Sequence, residues 1–106
     1  MSRQSKVDTL LTMLKIEPED IFLNYSLGLE YVADNNFDLA EQSFKKTISI
    51  QPNYIPAFYQ LGKLYEAQQK NEKALNLFKQ GLQFSIEQKN TKAINEFNEA
   101  LFMLED

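Results

Sequence analysis

The sequence predicts an all-α fold of stacked helix hairpins, an α-solenoid, and three observations carry that expectation. The chain repeats itself at an interval of 34 residues. It holds only 3 glycines and 3 prolines in 106 residues, little turn material for a many-stranded sheet. The segments flanking the repeats place apolar residues at helical spacing.

Six helices follow in order. Residues 5–16 set Val7, Leu10, Leu11 and Leu14 at i, i+3, i+4 and i+7, an amphipathic helix that Pro18 closes. Glu19 and Asp20 lead the second, about 20–34, where negative charge suits the helix dipole. The third covers about 37–51. The fourth, about 54–69, has Asn53 as a capping candidate, and the fifth, about 72–88, has Asn71. The sixth covers about 91–104, capped by Asn90 or Thr91. Every connection is short, and no stretch reads as a linker or domain boundary.

The repeat rests on nine identical pairs at the 34-residue shift: Ile21/Ile55, Tyr25/Tyr59, Leu27/Leu61, Gly28/Gly62, Tyr31/Tyr65, Ala33/Ala67, Ala40/Ala74, Phe44/Phe78 and Lys45/Lys79. Ordinary residue usage would give roughly two. Most are apolar or small, as packing positions are. Antiparallel helices approach closely only where side chains are small. Gly28 with Ala40, and Gly62 with Ala74, are expected to make that approach. Tyr31 with Phe44, and Tyr65 with Phe78, should fill the space beside it. A mid-helix glycine costs about 1 kcal/mol against alanine, so it needs such a packing reason.

The order Leu-Gly-x-x-Tyr, then Ala nine residues on, then Phe four later, resembles the tetratricopeptide repeat. One copy spans 21–54, with Leu27, Gly28, Tyr31, Ala40, Phe44 and Pro52. The second spans 55–88, with Phe58, Leu61, Gly62, Tyr65, Ala74 and Phe78. The resemblance implies one domain over 1–106, with an N-terminal flanking helix in 1–20 and a C-terminal capping helix in 89–106. The departures are Asn24, where the family carries a large aromatic, Thr47 and Gly81 for a small residue, and Ile86 for the closing proline. Copy one is therefore expected either to pack loosely at Asn24 or to bury a polar contact there.

Pro18 lies 34 residues before Pro52, so the first helix has the phase of a second repeat helix. Ala93, Phe97 and Ala100 repeat the second-helix signature, and Gly81 and Phe84 precede them as Gly28 and Tyr31 precede Ala40. Residues 71–88 thus serve twice, as second helix of one hairpin and first helix of an overlapping one. Gly62 belongs to the full signature and Gly81 to the partial one, so substitution at Gly62 is expected to cost more.

Composition excludes much chemistry. Cysteine and histidine are absent, which removes disulfides, thiolate sites, the usual general base and the commonest metal ligand. No serine has an imidazole to activate it, and the three glycines form no phosphate loop. No catalytic residue, cofactor or metal is assigned, and no enzyme activity is expected. The net charge of −4 argues against a nucleic-acid surface. Glu17, Glu19 and Asp20 could hold a cation, but complementing a helix dipole is the favoured reading. Glu96 and Glu99 read as solvated. Lys45, Lys46, Lys70, Lys73 and Lys79 read as a solvated face rather than a basic strip. Asp8, Thr9 and Thr12 interrupt any leader-like run after Arg3 and Lys6, and the longest apolar run is Ala100 to Leu104. No membrane segment is expected, and a cytoplasmic location is the default.

In the family this chain resembles, first helices line a concave surface that binds peptides or partner helices. The matching positions are Phe22, Tyr25, Leu29 and Val32 in copy one, and Tyr59, Lys63 and Glu66 in copy two. These are the candidate partner-binding residues and are expected to be exposed. Tyr25 and Tyr59 are identical between copies yet outside the packing signature, and tyrosine suits an interface. The alternative is that flanking helices cover both rings. Some members grip a C-terminal carboxylate with a Lys and an Asn on one first helix and an Asn on the next. Tyr25, Leu29 and Gln60 hold those places here, so that clamp is missing.

A rival to the peptide-binding module is a self-association module, a homodimer joined through its terminal helices. Around the last helix, Ile94, Phe97, Leu101 and Leu104 share one stripe, while Phe102 lies about 100° outside it and Met103 on its shoulder. Phe102 and Met103 are the candidate self-association residues.

Overall fold

The computed structural model describes residues 2–105 and, among them, holds six α-helices and no strand. They are α1 (Arg3–Ile16), α2 (Ile21–Ala33), α3 (Phe37–Ile50), α4 (Ile55–Ala67), α5 (Asn71–Glu87) and α6 (Thr91–Leu104). Each expected helix is present, with ends within about two residues of expectation. The chain divides into two compact units between Pro52 and Asn53. The first holds α1, α2 and α3, and the second α4, α5 and α6.

Within the first unit α2 packs on both α1 and α3. Leu23 and Leu27 of α2, Ala40 and Phe44 of α3, and Val7 of α1 are buried. The α1 stripe is only partly used. Leu10 and Leu14 are half-buried and Leu11 is exposed, and α2 is the main cover of that helix within the unit. In the second unit α5 packs on both α4 and α6. Its core is Phe58, Leu61, Leu64 and Tyr65 of α4, Ala74 and Phe78 of α5, and Phe97 and Leu101 of α6.

The close approach within each hairpin is a glycine beneath a phenylalanine ring. Gly28 faces the Phe44 ring, Gly62 the Phe78 ring and Gly81 the Phe97 ring. A Cβ at any of the three would come closer than 3.0 Å to ring carbons. The contact is thus glycine on phenylalanine, where Gly28 with Ala40 and Gly62 with Ala74 were expected. The rings of Phe44 and Phe78 are fully buried and Phe97 nearly so, so a ring that shifts must displace its own packing neighbours. The α5–α6 pair repeats the geometry of α2–α3 and α4–α5, so α5 does serve in two hairpins.

The three hairpin turns are built alike. After α2, the Asn35 N–H donates to Val32 O (2.9 Å) and the Asn36 N–H to Tyr31 O (2.8 Å). After α4, Gln69 N–H reaches Glu66 O and Lys70 N–H reaches Tyr65 O, both at 2.9 Å. After α5, Lys89 N–H reaches Ile86 O (3.1 Å) and Asn90 N–H reaches Ser85 O (2.9 Å). This paired pattern closes helices through one left-handed residue. Asn35, Gln69 and Lys89 take that conformation, with φ of 57°, 61° and 56°.

Two capping expectations fail. Tyr54, not Asn53, is the N-cap of α4, with no side-chain cap bond. Pro56 sits in the first turn and has no N–H to satisfy, which lessens the need for a cap. Asn71 lies inside α5 and Lys70 is the N-cap, again without a cap bond. Asn90 caps α6 as expected, its Oδ1 accepting from Ala93 N–H (3.1 Å). Asp20 caps α2, its Oδ1 accepting from Leu23 N–H (2.8 Å). Asn24 is buried, and its Nδ2 donates to Pro18 O (3.1 Å) and Asp20 O (2.8 Å), tying α2 to the turn before it. Of the two outcomes open at Asn24, the polar contact is the one found.

Candidate partner-binding surface

The α2 helix is apolar on two faces. Leu23, Leu27 and Gly28 turn inward, whereas Phe22, Tyr25, Leu29 and Val32 occupy the other side at spacings of 3, 4 and 3. Phe22 is 69% exposed and Leu29 37%. Tyr25 and Val32 are half-buried rather than exposed. Tyr25 is held because its ring leans on the Phe44 ring, 5.8 Å between centroids. The first unit therefore presents an apolar strip on one helix, with a large aromatic at its start that the unit itself leaves uncovered.

In the second unit Tyr59 is half-buried between Phe78 (6.1 Å) and Phe97 (5.7 Å, edge-on). Neither of the two outcomes for this ring is complete: α5 and α6 cover part of it, and part stays open. Lys63, one turn further on, is exposed, with its Nζ 5.9 Å from the Tyr59 ring centre and 3.3 Å from Glu66 Oε1. Glu66 is half-buried rather than exposed. Tyr59 and Lys63 line a cleft of about 220 Å³ whose other wall is Glu96, Glu99, Ala100 and Met103 of α6. Glu96 and Glu99 are exposed, as the expectation of solvated groups has it; what sequence reasoning missed is that they line a cleft with α4. The signal was present: Glu96, Glu99, Ala100 and Met103 fall at i, i+3, i+4 and i+7, one face of α6.

Several of the remaining charged groups have local roles. Asp20 is a cap, and Glu19 pairs with Lys46 at 2.6 Å. Lys45 pairs with Glu41 at 2.9 Å, and Lys73 lies 5.5 Å from the Tyr65 ring centre. Among the described residues, no group of three or more acids gathers as a metal site would require, and no helix is long and apolar enough to cross a membrane. Phe102 and Met103 of α6 are 78% and 64% exposed, as the helical angle of Phe102 requires.

Comparison with known proteins gives this architecture a family. Models of the tetratricopeptide repeat match residues 23–54 and 43–76. A tetratricopeptide repeat domain protein from Salinibacter ruber is 31% identical, with 83% of this chain and 89% of that one covered and a TM-score of 0.78. The tetratricopeptide repeat domain-containing protein PYG7, chloroplastic, of Arabidopsis thaliana is 34% identical over 59 residues, 56% of this chain. The match spans only 20% of that relative's length. The first TPR of Spaghetti (RPAP3), solved bound to the HSP90 peptide SRMEEVD, is 21% identical with a TM-score of 0.79 over 98% of this chain and 81% of that one. At that identity the likeness is one of fold. The repeat signature, the glycine-on-phenylalanine hairpins and these matches lead to one conclusion: the chain belongs to the tetratricopeptide repeat family.

Proposed function

We propose that this chain is a non-catalytic protein-interaction module that takes a peptide or partner helix along its first helices, α2 and α4, the surface that is concave in this family. The observation that carries the reading is the second apolar face of α2. A helix inside a folded unit needs one apolar face, and the side bearing Phe22, Tyr25, Leu29 and Val32 is surplus to that need. Tyr59, Lys63 and Glu66 are the matching positions on α4. The RPAP3 domain, of the same fold, is solved with a peptide, which supports the same use of the fold here. The partner is not an acidic C-terminal tail held by a carboxylate clamp, since Tyr25, Leu29 and Gln60 stand where the clamp residues would be.

The test is selection of binders from a displayed random-peptide library. Nuclear magnetic resonance titration of the labelled chain with the winning peptides should move signals of α2 and α4. Phe22→Ser combined with Leu29→Ser should weaken those peptides about tenfold or more while leaving helicity unchanged, because both side chains are exposed. Binding that maps elsewhere, or is indifferent to both substitutions, would end this reading.

A second reading has its own observation. Phe102 and Met103 are adjacent and largely exposed, a patch suited to a second copy of the chain. Phe102→Ser should then reduce the mass measured by light scattering at high concentration, with the unfolding midpoint unchanged. A wild-type chain that remains monomeric throughout would remove it.

A further inference from the structure

The cleft between α4 and α6 has a charge balance that selects its occupant. Three ionised groups of its wall face it: Lys63, Glu96 and Glu99. Lys63 is already matched, its ammonium 3.3 Å from Glu66 Oε1 and poised over the Tyr59 ring. Glu96 and Glu99 are matched by nothing: among the described residues no cation lies within 4.0 Å of either carboxylate. The cleft thus keeps two uncompensated negative charges beside an aromatic face and the Met103 thioether, which is 64% exposed. A long basic side chain answers each of these features. Its stem packs on tyrosine and methionine, and its head reaches carboxylates that accept charge-assisted hydrogen bonds. That the Tyr59 ring accepts a cation is visible in the position of Lys63 itself.

We propose that this cleft recognises a lysine or arginine side chain of a partner protein, with Glu96 and Glu99 pairing to its charge and Tyr59 and Met103 lining its stem. The inference rests on the first-helix surface being the binding face and adds the chemistry of the segment that the second unit binds: basic, the opposite of an acidic tail. Attraction to such a segment also follows from the net charge of −4, which raises encounter rates with basic partners.

A displayed random-peptide library panned against the whole chain tests it. Winning peptides should carry Lys or Arg at a fixed position. Glu96→Gln with Glu99→Gln should weaken them about tenfold, and added salt should weaken wild-type binding. Glu96→Lys with Glu99→Lys should instead select acidic residues at that position. Both carboxylates are exposed, so helicity should be unchanged in every variant. Winners without a basic residue, or basic winners that bind the glutamine variant equally, would overturn the inference and leave the binding face standing. No winners at all, or winners that shift signals away from α2 and α4, would overturn both. A dimer in sedimentation that the glutamine pair dissolves would mean the occupant is a second copy, which also overturns it.

Discussion

Gly28, Gly62 and Gly81 lie beneath buried phenylalanine rings, which a methyl group at any of the three would press upon. Helix propensity alone would favour alanine by about 1 kcal/mol. Overpacking against a buried ring costs about 1–3 kcal/mol and outweighs it. Gly62→Ala and Gly81→Ala should therefore both lower stability, and by similar amounts, in a urea titration. A gain in stability at either site would show that the ring yields. The ring geometry argues against the expectation that Gly62 outranks Gly81. Signature completeness counts neighbours along the sequence, whereas the cost depends on the ring overhead, and Phe97 sits over Gly81 as closely as Phe78 over Gly62. At the same scale Tyr25 and Tyr59 were legible as special but not as half-buried. Their covers, Phe44 for the first and Phe78 with Phe97 for the second, come from other helices.

At the scale of the element, the 34-residue repeat together with hydrophobic spacing located all six helices, but the caps were read less well. An asparagine before a helix is a good capping signal only when the turn delivers it to the right place. Here the paired turn bonds set that place at Asn36, Lys70 and Asn90. Asn71 stands one residue too late, and Lys70 has no acceptor to offer. Lys70→Asn should then stabilise α5 by about 0.5–2 kcal/mol, read as a rise in thermal midpoint. An unchanged midpoint would mean the free N–H groups are satisfied equally well by water. The preceding residue makes a second test. Gln69 and Lys89 hold a left-handed backbone that costs non-glycine residues roughly 1 kcal/mol. Gln69→Gly and Lys89→Gly should each stabilise by about 0.5–1 kcal/mol, and Asn35→Gly by less, because asparagine tolerates that conformation. Destabilisation by either of the first two would contradict the turn geometry.

At the scale of the molecule, the two units differ in how their aromatic residues are shared. In the first, Tyr25 meets Phe44. In the second, Tyr59, Phe78 and Phe97 form a closed triangle with centroids 5.7 to 6.2 Å apart, one ring from each of α4, α5 and α6. The doubling of α5 was legible because Gly81 and Phe84 precede Ala93 at the spacings that Gly28 and Tyr31 keep from Ala40. The triangle was not legible, since a linear period says nothing of what α4 and α6 do to each other across α5. Its consequence is cooperative. A triangle built from three helices should not lose one ring without loosening the other two. Phe97→Ala should cost about 3–5 kcal/mol, and hydrogen exchange should show α4, α5 and α6 losing protection together. Were α6 an independent cap, its amides alone would exchange faster while those of α4 and α5 kept their wild-type protection. That pattern would show that Tyr59 and Phe78 hold their places without Phe97, and that the cleft beside Tyr59 is not braced from α6.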